Sequence, residues 1–240
     1  MQYVDHIFIF LLFVVQPIHG YFENRQYEAL ERAGQSFDRI RFYRLTGLLE
    51  WAFLVALAAA WIICSRPAAS LGLVTPGGLG FWGGTALLVL FTGFLVYSWR
   101  AATQASDAEK AKQRESFGSI ERYLPQTKPE LRSFVGVSIT AGIVEEIVYR
   151  GFVIWYLGQF MPLWAAVFVS SVAFGLAHGY QGGGGVLRTG LVGLAFGIFY
   201  VVTGSIWLPI VAHVLLDALQ GAAVHEILRK KNDAMEPQPA

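Results

Sequence analysis

Apolar runs long enough to cross a membrane recur along this chain, and they leave its backbone few choices. In hydrocarbon an unpaired amide or carbonyl costs several kcal/mol, so a spanning segment must close its own hydrogen bonds as a helix or join a barrel. About 18 apolar residues suffice for a helical crossing. Residues 45–64, 82–99 and 206–224 meet that length. Residues 134–157, 163–178 and 186–202 read as further spans with polar or glycine interruptions, and 3–18 as a seventh. Composition agrees: 15% of the residues are charged, against about 25% in soluble domains. The expected fold is all-α, a polytopic transmembrane bundle of about seven or eight helices around a polar intramembrane cavity.

The basic residues are distributed unevenly. Residues 20–44, 100–132, 179–188 and 225–240 hold 5, 7, 1 and 3 of them, which is 16 of the 18 Lys and Arg; only Arg66 and Arg150 lie elsewhere. Basic loops stay on the cytoplasmic side, so seven crossings with a cytoplasmic C-terminus are expected. The first apolar run is preceded by no Lys or Arg and followed by no small-residue cleavage site, which argues against a removed signal peptide. A net charge of +1 gives no footprint for nucleic acid, and the single Cys64 forms no internal disulfide.

One integrated membrane domain is expected, in three stretches. Residues 1–132 form N-terminal helices and a charged cytoplasmic arm, helical over 101–121 and broken at Pro125 and Pro129. Residues 133–224 form the core that carries the chemistry, and 225–240 a polar cytoplasmic tail. The run Gly182 to Gly185 reads as a flexible turn or gate, and Pro209 as a kink in the last span. Other glycines of the later spans, Gly142 and Gly193 among them, read as packing positions. Glu50 is expected to snorkel toward the cytoplasmic edge, with support of the polar cluster as the second reading, and His6, His19 and His225 to lie at the interfaces.

The chemistry-bearing residues stand out against this background. Glu145 and Glu146 lie in an otherwise apolar stretch with Arg150 four residues after the second. A charge at bilayer depth costs about 2.5 kcal/mol or more and is rarely kept without a partner or a task. Glu146 and Arg150 fall on one helix face with the acid leading, the favoured order, whereas Glu145 lies about 140° around from Arg150. Glu146 is therefore assigned to pair with Arg150, leaving Glu145 to face the cavity. Later spans bring His178, with Phe174 one turn before it, and then His213 with Asp217 one turn after. Two chemistries are open to these groups. Glu145, His178 and His213 could hold a divalent metal such as zinc, although the contiguous His-Glu-x-x-His helix is absent. Without metal, Glu145 and His178 could activate water while His213 and Asp217 face the oxyanion.

The ordered set Glu145-Glu146-x-x-x-Arg150, Phe174-x-x-x-His178 and His213-x-x-x-Asp217 resembles the CPBP (CAAX protease and bacteriocin-processing, or Abi) family of intramembrane proteases. These are bacterial relatives of the type II CAAX prenyl endopeptidase. The likeness runs from about Pro125 to Gly221, and a Leu-Gly-Leu loop at Leu71 to Leu73 adds to it. It implies a helical bundle with the site in an intramembrane cavity, water activation by Glu145 and His178, and an oxyanion side at His213 and Asp217. The family has been labelled metalloprotease, and a glutamate-dependent, metal-free mechanism has been argued for its eukaryotic branch. The prenyl endopeptidases carry asparagine at the position of Asp217. The expected function is cleavage of a peptide bond in a membrane-associated or lipid-linked protein or peptide, in a bacterial inner (plasma) membrane. A non-catalytic binding, immunity or regulatory protein is the alternative, and a proton-coupled transporter is disfavoured by the lack of an internal repeat.

One geometric tension accompanies this reading. Straight alternating spans at about 1.5 Å per residue place Glu145 past mid-bilayer and His178 near the cytoplasmic face. Joining them requires tilt, a kink near Gly142 or a segment that does not cross.

Overall fold

A computed structural model describes residues 2–35, 37–75 and 77–229. Among them there are eight helices and no strand. Helix α1 spans Tyr3–Arg32 with a π turn at Leu11–Val15. Helix α2, Arg39–Ile63, starts at Asp38, whose carboxylate accepts the Arg41 N–H at 3.0 Å. Helix α3 is Gly78–Gln104 and α4 is Asp107–Glu115. Helix α5 covers residues 128–157: an α stretch Lys128–Glu145, a π stretch Glu146–Val153 and a last turn Ile154–Leu157. Helices α6, Leu163–Ala177, α7, Gly182–Thr203, and α8, Trp207–Leu228, complete the chain.

Five of these segments are long and apolar enough to cross a membrane: Tyr3–Arg32, Arg39–Ile63, Gly78–Gln104, Gly179–Thr203 and Trp207–Leu228. The chain is thus an all-α, multi-pass membrane protein. Helix α6 has only 15 residues, about 22 Å of helix against a hydrocarbon core of roughly 30 Å. Its C-terminal residue is followed directly by His178. A short α6 and a π-widened α5 resolve the depth mismatch between Glu145 and His178 without any kink at Gly142. Gly142 serves a different purpose: a Cβ there would lie 2.5 Å from Val214 Cγ2 and 2.9 Å from Val214 N. Its bare backbone lets α5 and α8 touch.

Helix α5 sits centrally, packed on α2 along one side and on α8 along another, while α6 packs on α7. The buried core gathers Phe8, Leu57, Trp61, Tyr149, Phe152 and Phe174. The outer faces are equally apolar, with Leu48, Leu49, Val55 and Leu90 exposed, as expected where lipid is the solvent. Two polar devices fix the N-terminal half to this core. Arg66 grips the buried Asp5 with two hydrogen bonds, 2.6 and 2.8 Å, and lies 5.0 and 4.9 Å from the rings of Trp61 and Trp155. The hydrogen bond to Asp5 also raises the pKa of Arg66, in the loop after α2, so the clamp keeps its charge. The Leu71 to Leu73 loop docks on the π stretch: Gly151 approaches the Leu71 carbonyl, and Gly72 O accepts the Ile206 N–H at 3.2 Å.

Several sequence expectations are corrected. The arm is not one helix over 101–121. It breaks after Gln104 because Ser106 and Glu109 form a capping box that starts α4, and a 3-10 turn follows at Gly118–Tyr123. Pro129 does not break a helix but sits in the first turn of α5, behind the Thr127–Glu130 capping box. The run from Gly182 to Gly185 forms the first turn of α7. Pro209 lies in the first turn of α8, where its missing N–H costs nothing, and the helix continues through it. His225, in the last turn of α8, is buried against the bundle, 4% exposed. The tail's residues 230–240 lie outside the described residues.

Candidate active site

The site forms where the α stretch of α5 passes into its π stretch, between Glu145 and Glu146. A π segment widens the helix and is common at functional sites; here Ser170 Oγ on α6 donates to the Tyr149 carbonyl at 2.8 Å and holds it. The two adjacent acids diverge. Glu146 is fully buried and Arg150 is 2% exposed. Arg150 Nε lies 3.2 Å from Glu146 Oε2, close enough for an ion pair, although Oε2 takes no well-directed hydrogen bond. The guanidinium donates to the Gly193 carbonyl at 3.2 Å and lies 4.4 Å from the Phe174 ring centroid. A Cβ on Gly193 would come within 2.9 Å of Phe174 Cδ1, so this glycine opens the carbonyl to Arg150.

Glu146 also reaches α8. Its Oε1 accepts from His213 Nδ1 at 2.8 Å, which fixes the ring and leaves Nε2 pointing inward. That Nε2 lies 3.7 Å from Glu145 Oε2 and 3.5 Å from Asp217 Oδ2. On the other side of Glu145, His178 Nε2 lies 3.9 Å from Oε1. His178 Nδ1 is 2.8 Å from the Phe174 carbonyl. A carbonyl only accepts, so Nδ1 carries a proton, and Nε2 is the nitrogen that faces Glu145. The structure thus brings Glu145, His178, His213 and Asp217 together, with Glu146, Arg150 and Phe174 behind them. The side chains of Glu145 and His178 are 14% and 16% exposed and that of Asp217 is 34%, so the cluster opens past Asp217.

His178 Nε2 and His213 Nε2 face the two oxygens of Glu145, at 3.9 and 3.7 Å, and Glu146 holds His213 Nδ1 as an outer carboxylate holds a metal-bound imidazole. Among the described residues, no three His, Cys, Asp or Glu side chains are gathered so as to hold a metal ion as they stand.

Glu50 was misread from sequence. It does not snorkel: its Oε2 is buried without a hydrogen-bond partner, and it lies within electrostatic reach of Glu145, His213 and Asp217. It shares one face of α2 with Tyr43, Gly47, Leu54, Leu57 and Trp61, and that face packs into the bundle. The carbonyls of Phe174 and Gly193 were not foreseeable, because backbone acceptors leave no trace in side-chain identity.

A multi-pass helical membrane protein with glutamate and histidine side chains converging inside the bundle defines the class. Residues 127–219 match the family model described as type II CAAX prenyl endopeptidase Rce1-like. This stretch is thus similar to the type II CAAX prenyl endopeptidases, a likeness that supports an intramembrane protease of the CAAX type. The match includes all four clustered residues and omits α1 to α4, hence Glu50. No curated protein and no solved structure matches the chain.

Proposed function

We propose that this protein hydrolyses a peptide bond of a membrane-associated or lipid-linked protein or peptide, using a water activated between Glu145 and His178. The observation that carries the reading is the 3.9 Å separation of Glu145 Oε1 from His178 Nε2, in a ring whose Nδ1 donates to the Phe174 carbonyl. The two atoms are too far apart to bond directly, and a water about 2.8 Å from each fits between them. Glu145 takes one proton of that water as its oxygen adds to the scissile carbonyl carbon. The carbonyl oxygen becomes an oxyanion and receives a hydrogen bond from a protonated His213 Nε2, which Glu146 holds in place. On collapse the C–N bond breaks, and the departing nitrogen takes the proton from Glu145. Asp217, beside His213 Nε2, orients that ring instead of binding the oxyanion itself.

This chemistry uses no metal. The proposed setting is a bacterial inner membrane with the C-terminus in the cytoplasm, the orientation that gathers 16 of 18 basic residues on one side. The test compares new protein termini in membranes expressing wild type or Glu145→Gln. Termini made only by wild type, at a rate at least about 100-fold above the variant and unchanged by chelators, are expected. Identical profiles from two well-folded proteins would instead favour a binding or immunity role, and loss of cleavage on chelation would restore the metal.

A further inference from the structure

Glu50, which the proposed chemistry does not use, reaches the site from outside the family-matched stretch. Helix α2 lies against α5 with Gly47 close to Thr140, and Trp51 Nε1 donates to Thr140 Oγ1 at 3.2 Å. That contact sets the rotation of α2 and turns Glu50 inward. The titratable groups facing it are Glu145 and Tyr149 on α5 and His213 and Asp217 on α8. No Arg or Lys is among them.

A charge count shows the consequence. The cluster holds four carboxyl groups, those of Glu50, Glu145, Glu146 and Asp217. Against them stand Arg150 and the two imidazoles, His178 and His213. Even with both imidazoles protonated, four ionised carboxylates would leave a surplus of one negative charge inside the bundle. Glu146 is matched by Arg150 and His213, Glu145 faces both imidazoles, and Asp217 is one-third open to the outside. Among the described residues, Glu50 Oε2 has neither a donor nor an ion-pair partner. An ionised carboxylate in that position would bear a desolvation cost that no facing cation offsets.

We propose that Glu50 is a further active-site residue, a positioning group held as the neutral acid, whose proton spares Glu145 a further facing negative charge and so leaves Glu145 free to act as base. The role rests on the proposed hydrolysis, but the location of the proton does not. The N-terminal half then supplies part of the site's electrostatics as well as its scaffold.

Infrared difference spectra of the full chain in lipid nanodiscs test the proton directly. The C=O stretch of a protonated carboxyl should be present in wild type, lost in Glu50→Gln and retained in Glu145→Gln. Its retention in Glu50→Gln, or its loss in Glu145→Gln, overturns the proposal. Kinetics test the role. Glutamine cannot ionise, so on the alkaline side Glu50→Gln should keep about tenfold more of its own maximal kcat than wild type keeps of its own, with KM unmoved. A purely structural Glu50 would leave the shape of the pH profile unchanged and so refute the role. If wild type cuts nothing, the hydrolysis reading and the role built on it both fall, while the spectra still decide where the proton resides.

Discussion

Replacing Arg150 with methionine gives the most informative single perturbation of this bundle. The guanidinium is 2% exposed and contacts three things: Glu146 Oε2 at 3.2 Å, the Gly193 carbonyl at 3.2 Å and the Phe174 ring at 4.4 Å. Methionine has similar length and fills the space beside Phe174, so the loss is electrostatic rather than a cavity. Breaking a buried ion pair by removing one partner costs about 3–5 kcal/mol, because the remaining charge is stranded. Two features place this case near the lower end of that range. The Arg150–Glu146 contact lacks a well-directed hydrogen bond, and His213 Nδ1 still holds the other oxygen of Glu146. A loss of about 3 kcal/mol is therefore expected. Reversible unfolding in mixed micelles, with Glu146→Gln and the double variant completing a cycle, measures it. The double variant should be less destabilised than the sum of the singles by about 1 kcal/mol or more. An Arg150→Met protein within about 0.5 kcal/mol of wild type, or strict additivity in the cycle, would refute the view that this pair sets the framework of the site.

Other expectations follow from the same contacts. Gly142→Ala should destabilise by about 1–3 kcal/mol through overpacking against Val214; it should also reduce turnover, because Glu145 and His213 flank that contact, and unfolding and cleavage assays on one preparation check both effects. Asp5→Asn removes the charge that Arg66 grips and should cost about 1.5–3 kcal/mol; protease sensitivity of α1 in nanodiscs would reveal it. Asp217→Asn should remain folded and retain kcat within about tenfold of wild type, whereas Asp217→Leu should fall further as His213 loses its orienting neighbour. A C-terminal fusion reporter should be active only in the cytoplasm.

The candidate site was legible to the extent that its members are polar residues in apolar surroundings. Glu145, Glu146, Arg150, His178, His213 and Asp217 are conspicuous because ionisable groups are costly there, and the four-residue spacings put Glu146 with Arg150 and His213 with Asp217. The roles of backbone and neighbouring helix were not legible. The Phe174 carbonyl that accepts from His178 Nδ1, the Gly193 carbonyl under Arg150 and the bond from Glu146 to His213 all depend on how separate helices meet. Local punctuation was misjudged where a residue has two uses. Pro129 and Pro209 open helices instead of bending them, and Ser106 starts a new helix inside an arm that reads as continuous.

By itself, then, the sequence determined the helical class, the approximate positions of the apolar segments and the identity of the ionisable cluster, since hydrocarbon forces backbone closure and penalises stray charge. Only the tertiary structure decided which face of each helix turns inward, and with it the place of Glu50 beside Glu145. The reason lies in the solvent. In water a buried face is recognised by its contrast with a polar one, but Leu48 and Leu49, which face outward, are as apolar as the buried Leu57. Rotation and depth are set instead by close contacts such as Gly47 on Thr140 and Gly142 on Val214, which exist only once the helices have met.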